Sequence, residues 1–306
     1  MKRVPNLRRT VALAGATIIL LAGGCAHDTD SLASDSADAV QVNRALHERL
    51  PPSVRDRGTI RFATDPSYAP MESFAPDGRT VVGFDADLAA ALGSVLGIKV
   101  DMAPTVFSTS LDATAGGRFD GVMSAMTDTV EREKKADFVN YFTAGTSIVV
   151  RRGNPSGVTD LDDLCGHAVA VEESTVQEDL LQRSQNGCGA RPIVIRSFKT
   201  NSDALLQLRT GRAVALLNDF PPAAQLANDP SSRTHYQLAS TAQYEPGFYG
   251  IAVAKSNTAL RDALHDALGE LMRTGAYGEL LRRWGLTTGG LPSTSINAAG
   301  GTGTPG

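Results

Sequence analysis

Thr59-Ile60-Arg61-Phe62-Ala63-Thr64 and Gly83-Phe84-Asp85-Ala86-Asp87-Leu88-Ala89-Ala90-Ala91-Leu92 are the two stretches on which the fold turns. The first alternates apolar and polar side chains, the two-residue period of a strand. A Pro76-Asp77-Gly78 turn and a short Val81-Val82 strand lead into the second. There Phe84, Leu88, Leu92, Val95 and Leu96 share one helical face, with Asp85 and Asp87 in the first turn, where the helix dipole favours negative charge. The unit is strand, turn, helix. It recurs downstream: residues 98–100 begin a strand, 111–117 a short helix and 121–123 another strand. Further strands are expected at 147–150, 168–171, 193–195, 214–217 and 250–254, separated by helical segments. Such alternation predicts an α/β fold with largely parallel sheets. The last apolar stripe, from Leu260 to Trp284, is helical, interrupted at Gly275 and stopped by Gly285.

The chain has 306 residues and is 42% hydrophobic, enough for two ordinary domains with buried cores. Its net charge of -4, with no Lys/Arg block beyond the first residues, leaves no footprint for nucleic acid. Lys2, Arg3, Arg8 and Arg9 precede an apolar run at residues 11–21, too short to cross a bilayer comfortably, which ends in Ala22-Gly23-Gly24-Cys25. This reads as a signal peptide over residues 1–24. Its end resembles the lipobox of bacterial lipoproteins, which implies acylation of Cys25 and cleavage just before it. Arg8-Arg9 leaves both the general and the twin-arginine export routes open. Residues 25–50, rich in Asp, Ser and Ala, suit a flexible tether, and residues 287–306, rich in Gly, Thr, Ser and Pro, suit a disordered tail. In an oxidising compartment the remaining pair, Cys165 and Cys188, is most simply a disulfide worth about 3 kcal/mol by chain entropy. A metal site would need more ligands than these two and His167 supply, so neither metal nor cofactor is expected.

Four stretches, in order, resemble the bilobal amino-acid-binding proteins of ABC importers, the extracellular solute-binding family 3. They are Ala63-Thr64-Asp65-Pro66-Ser67-Tyr68-Ala69-Pro70-Met71-Glu72; the Gly83 to Leu92 helix; Phe119-Asp120 through Thr127, Thr129 and Arg132 to Asp137-Phe138; and Gly211-Arg212 through Asn218-Asp219. Ala86 and Val214 depart from the family's usual larger apolar residue and Asp. The resemblance implies a type II, periplasmic-binding-protein-like α/β fold, two lobes joined by two crossing strands. Lobe 1 would be 51–145 plus 247–286, and lobe 2 would be 146–246. It also implies a non-enzymatic monomer that presents an amino acid to ABC importer membrane subunits at the outer face of the membrane.

A free amino acid carries a carboxylate and an ammonium on one carbon, so a closed cleft must supply both countercharges. Arg132 is the expected carboxylate partner, since a guanidinium makes two parallel charge-assisted hydrogen bonds. If Thr129 caps a helix, Arg132 stands in its first turn, where the dipole disfavours a cation and some other interaction must justify it. The alternative is a solvated arginine paired with Glu131 or Glu133. By resemblance, Thr127 and the backbone at Ser124 complete the carboxylate site, and the amides of Ser174, Thr175 and Val176 point at the same group. Asp219 takes the ammonium. Tyr68 and Phe107 wall the side chain, while Asp65 and Glu172 face its distal end and suit a basic or amide group. Two rival readings remain. One is a cyclohexadienyl dehydratase-like enzyme on the same fold, with Glu172 or Glu173 as general acid; the other is an extracytoplasmic amino-acid sensor.

Overall fold

A computed structural model describes residues 41–299. The expected signal peptide and Cys25 lie outside the described residues. Two short helices, α1 (Arg44–Arg49) and α2 (Pro52–Arg57), open the chain, followed by β1 (Thr59–Thr64), β2 (Ser67–Tyr68), β3 (Glu72–Phe74) and β4 (Val81–Val82). Then come α3 (Phe84–Leu96), β5 (Lys99–Pro104), α4 (Phe107–Ala115), β6 (Gly121–Val122), the one-turn α5 (Val130–Glu133) and the long β7 (Ala136–Arg151). The middle of the chain holds β8 (Ala168–Glu172), α6 (Val176–Ser184), β9 (Val194–Phe198), α7 (Asn201–Arg209), β10 (Ala215–Asp219), α8 (Phe220–Asn228) and β11 (Tyr236–Leu238). The return strand β12 (Tyr244–Ala254) leads to α9 (Thr258–Arg273), α10 (Ala276–Trp284) and β13 (Gly290–Ile296).

The main sheet runs β5-β1-β6-β12-β7-β10-β8-β9, with β11 and β13 on β7. Its two flanks are parallel, β1 with β5 and β6, and β8 with β9 and β10. Only β7 and β12 belong to both halves: β7 pairs antiparallel with β12 from Ala136 to Thr146, and from Thr146 to Val150 with β10. The chain is therefore two α/β lobes joined by two crossing strands. Side chains of β7 are buried up to its last residue, as expected of a run rich in Val, Ile, Tyr and Phe covered on both faces. The apolar clusters respect this division. Two are drawn from residues between 46 and 144 and between 249 and 286, and two from residues between 148 and 236. Gly275, at φ 83°, separates α9 from α10 where the stripe breaks. Cys165 and Cys188 form the expected disulfide, their Cα atoms 5.2 Å apart.

Three sequence expectations need correction. Part of the tether is ordered: Leu46 and Leu50, four residues apart, bury into the first cluster, Asn43 caps α1, and Arg49 pairs with Asp266. Part of the tail is ordered too, because β7 offers a free edge on which residues 290–296 pair as β13. Helix α4 starts at Phe107 rather than at 111, so Phe107 stands in its first turn. No helix among the described residues is long and apolar enough to cross a membrane.

Candidate functional site

The loops after β1, β6, β8 and β10 all open at the carboxyl ends of parallel strands, where crevices form in α/β sheets. Between the lobes they enclose a narrow cavity lined by polar, charged and aromatic side chains. Asp65, Tyr68, Phe107, Ser124, Thr127, Arg132, Glu172, Thr175, Val176 and Asp219 all line it. Glu72, Ala125 and Gln177 line it as well. Sequence reasoning had given these three no role, though Glu72 stood in a quoted stretch and Gln177 adjoins Val176 in the first turn of α6.

Arg132 is held for a purpose other than a surface ion pair. Thr129 caps α5 by accepting from the Arg132 amide at 3.2 Å. The guanidinium donates to the Thr127 carbonyl at 2.7 Å on its own lobe and to the Ser174 carbonyl at 2.9 Å across the cleft. Its carbon lies 5.4 Å from the centre of the Phe107 ring, a cation–π distance. Glu131 pairs with Lys134 instead, and no carboxylate among the described residues lies within ion-pair reach of Arg132. Burial lowers its pKa to about 10, opposed by Asp179, Asp219 and Asp128, so it remains a cation at neutral pH.

Asp219 ends β10 on the facing wall. Its carboxylate accepts from Gln177 Nε2 at 2.8 Å and from the Tyr68 hydroxyl at 3.0 Å, and its amide donates to the same Tyr68 oxygen at 2.8 Å. Burial raises its pKa to about 7, against the pull of its hydrogen bonds and of Arg132. One expected donor, the Ser174 amide, is otherwise engaged. It donates to Glu178 Oε2 at 2.7 Å, and the Ser124 hydroxyl donates to Glu72 Oε1 at 3.0 Å while accepting from the Asp65 amide at 2.9 Å. Thr175 caps α6 by accepting from the Glu178 amide at 3.2 Å, which leaves the amides of Thr175 and Val176 at the helix start beside the cavity.

The other end of the cavity is acidic. Asp65, Glu72 and Glu172 are 6%, 1% and 7% exposed, and each has a carboxyl oxygen without a hydrogen-bond partner among the described residues. Burial, reinforced by Asp65, pushes Glu172 up to about 10. Burial, reinforced by Asp85 behind it, pushes Glu72 well above the carboxylate range, and Asp65 is also raised by burial. A buried acceptor without a donor is costly. These oxygens are open to hydrogen-bond donors that a bound group would bring.

The lobes are closed over this cavity. Besides Arg132 and Ser174, Tyr68 bonds Asp219, Ser108 donates to Glu173 at 2.8 Å, and Asn201 donates to the Ser67 carbonyl at 3.1 Å, each across the cleft.

The family described as bacterial extracellular solute-binding proteins, family 3, matches residues 60–287. The L-cystine-binding protein TcyJ of Escherichia coli K12 is 30% identical over 247 residues, covering 80% of this chain and 89% of that protein. The arginine-binding protein ArgT of Corynebacterium glutamicum is 30% identical over 257 residues, with 82% of each chain covered. Among solved structures, an ancestral arginine-binding protein bound to arginine superposes with a TM-score of 0.69 at 32% identity, covering 74% of this chain and 98% of that one.

Proposed function

This chain belongs to the bacterial extracellular solute-binding proteins, family 3, and from that membership we propose that it captures a free basic amino acid, of which L-arginine is the best-fitting example. It is the extracytoplasmic substrate-binding component of an ABC importer for amino acids, and its curated relatives are binding proteins. One observation carries the choice of ligand: a single guanidinium stands at one end of the cavity, and carboxyls with unpartnered oxygens stand at the other.

In this reading Arg132 takes the α-carboxylate, together with Thr127 and the first amides of α6. Asp219 takes the ammonium. Tyr68 and Phe107 flank the aliphatic stem, and Asp65 and Glu172 receive the guanidinium, with Glu72 behind them. Each lobe supplies one countercharge, so the ligand favours the closed form, where Arg132 and Asp219 engage it together. Cystine, the ligand named for TcyJ, ends in a second amino-acid group: its ammonium suits Asp65 and Glu172, but its carboxylate would lie beside them without a countercation. A basic side chain fits better.

A thermal-shift screen of the twenty amino acids with ornithine, citrulline and cystine tests this, because a ligand of the folded state raises the unfolding temperature by mass action. Arginine, ornithine and lysine should raise it most, and glutamate and aspartate not at all. A response to cystine alone would overturn the basic-ligand reading. Product formation from prephenate would favour the dehydratase alternative.

We also propose that Cys25 is the acylated first residue of the mature chain, that the protein is a lipid-anchored monomer, and that its lobes divide at residues 145/146 and 246/247. Metabolic labelling with an alkyne-bearing fatty acid should mark the wild-type chain and not Cys25→Ser. Labelling of both would refute the anchor.

A further inference from the structure

The family match ends at residue 287, yet the chain continues as ordered structure through residue 299. Two contacts seat this extension. A Cβ on Gly289 would lie 2.1 Å from the Phe142 ring and 2.5 Å from the Thr143 carbonyl, so only glycine lets the chain lie this close to β7. Tyr277 then bridges the two segments, donating to the Tyr141 carbonyl at 2.6 Å and accepting from the Leu291 amide at 3.0 Å.

Beyond this seat the extension runs toward the segment that carries Arg132. Thr294 donates to the Asn140 carbonyl and Ser295 to Asn140 Oδ1, both at 3.0 Å. Asn140, fully buried, passes the contact on by donating through Nδ2 to Asp128 Oδ2 at 3.0 Å. The Ala298 amide donates to the same Asp128 oxygen at 2.8 Å, and the Ala299 amide donates to Glu133 Oε1 at 3.0 Å. Asn297 fixes the turn between them, accepting from the Phe138 amide at 2.8 Å and donating to Asp137 at 3.0 Å. Asp128 directly follows Thr127, whose carbonyl holds the Arg132 guanidinium, and Glu133 directly follows Arg132.

We propose that residues 290–299 form a clasp that positions Arg132 for the ligand carboxylate, by fixing Asp128 and Glu133 on either side of it. The clasp touches neither the cavity nor the acidic end of the site. It acts on one hydrogen-bonding direction of the ligand and leaves the side-chain end alone. The inference rests on the reading of Arg132 as the carboxylate partner, so its test separates the two.

The probes are L-arginine and L-argininamide, which keeps the ammonium and guanidinium but has no carboxylate. They are titrated calorimetrically against the full-length chain, Ala298→Pro and Ser295→Ala. Ala298→Pro removes the amide that reaches Asp128. It should weaken L-arginine about tenfold and L-argininamide less than twofold, the signature of a displaced carboxylate partner. Ser295→Ala deletes only the hydroxyl on Asn140 and should narrow the ratio between the probes about threefold. It decides the matter alone if Ala298→Pro does not fold. Equal weakening of both probes would mean that the strand merely stabilises the lobe, and unchanged binding of both would mean that it does nothing for the site. Either result overturns the clasp. Failure of the unaltered chain to bind L-arginine breaks the functional reading itself, and the clasp with it.

Discussion

The two ends of the cavity are built on opposite electrostatic terms. Around Arg132 and Asp219 one cation faces one carboxylate, and both are held by hydrogen bonds to Thr127, Ser174, Tyr68 and Gln177. Around Asp65, Glu72 and Glu172 there are carboxyls and no cation, with an oxygen on each left unpartnered among the described residues. The first end is organised by hydrogen bonds before any ligand arrives, whereas the second holds buried carboxyls with oxygens still open to donors that a ligand brings. In the proposed function, recognition of the part common to all amino acids is physically separate from recognition of the side chain, and substitutions should fall into two classes.

The largest expected effect is at the balanced end. Arg132→Ala leaves the ligand carboxylate in a closed cleft without a countercharge, a loss of about 2–5 kcal/mol for a truncated buried charge pair. L-arginine and L-glutamine should both weaken by about 100-fold or more in isothermal titration. Retention of either within a few-fold would show that the carboxylate is held elsewhere. At the acidic end the effect should be selective. Glu172→Gln keeps the shape and removes a carboxyl that can ionise beside a cationic ligand, so L-arginine should weaken about tenfold relative to L-citrulline, its uncharged analogue. An unchanged ratio would remove Glu172 from the side-chain end.

Acidity distinguishes the ends in a third way. Glu172 and Asp219 are carboxyls whose folded-state values, about 10 and about 7, lie above their ordinary values because of burial. Such groups stabilise the fold while protonated, and that contribution is lost as pH rises through the folded-state value. The ligand-free protein should therefore unfold at lower temperature at pH 8 than at pH 5. A cationic ligand favours the ionised forms, so binding should release protons and tighten severalfold between pH 6 and pH 8. Thermal unfolding at both limits, with and without L-arginine, checks both signs. A ligand-free protein that gains stability with rising pH would show that these carboxyls are already paired.

Much of this site was legible in the sequence because strand ends place loops, and loop residues line the crevice. Asp65 follows β1, Thr127 lies beyond β6, Glu172 ends β8 and Asp219 ends β10, so the α/β reading and the family resemblance brought ten of the eleven expected residues, all but Ser174, to one cavity. Gln177 was missed because the helix turns it inward one position past Val176, a direction set by the packing of α6 rather than by residue type. Glu72 was missed because its burial depends on a long-range partner, Ser124. The clasp was misread for a different reason. Gly, Thr, Ser and Pro carry no hydrophobic period, and residues 290–299 are ordered by backbone pairing to β7 and by hydrogen bonds to Asn140, Asp128 and Glu133. Composition is blind to both.

The smallest effect expected sharpens the comparison most, because it tests whether an aromatic residue placed as a wall for the side chain belongs to the other end. Phe107 stacks against the Arg132 guanidinium at 5.4 Å. That contact is worth about 0.5–1 kcal/mol, on a side chain already tied to two carbonyls. Phe107→Leu keeps an apolar wall and removes the ring face. If Phe107 serves mainly to support Arg132, L-arginine, L-lysine and L-glutamine should all weaken by the same factor of about two to five, since all share the carboxylate. If it serves mainly as a wall for the stem, the long basic ligands should suffer and the shorter L-glutamine should not. Titration of the three ligands against this variant therefore assigns Phe107 to one end or the other, and the packing of its ring on Arg132 places the expected result with the balanced end.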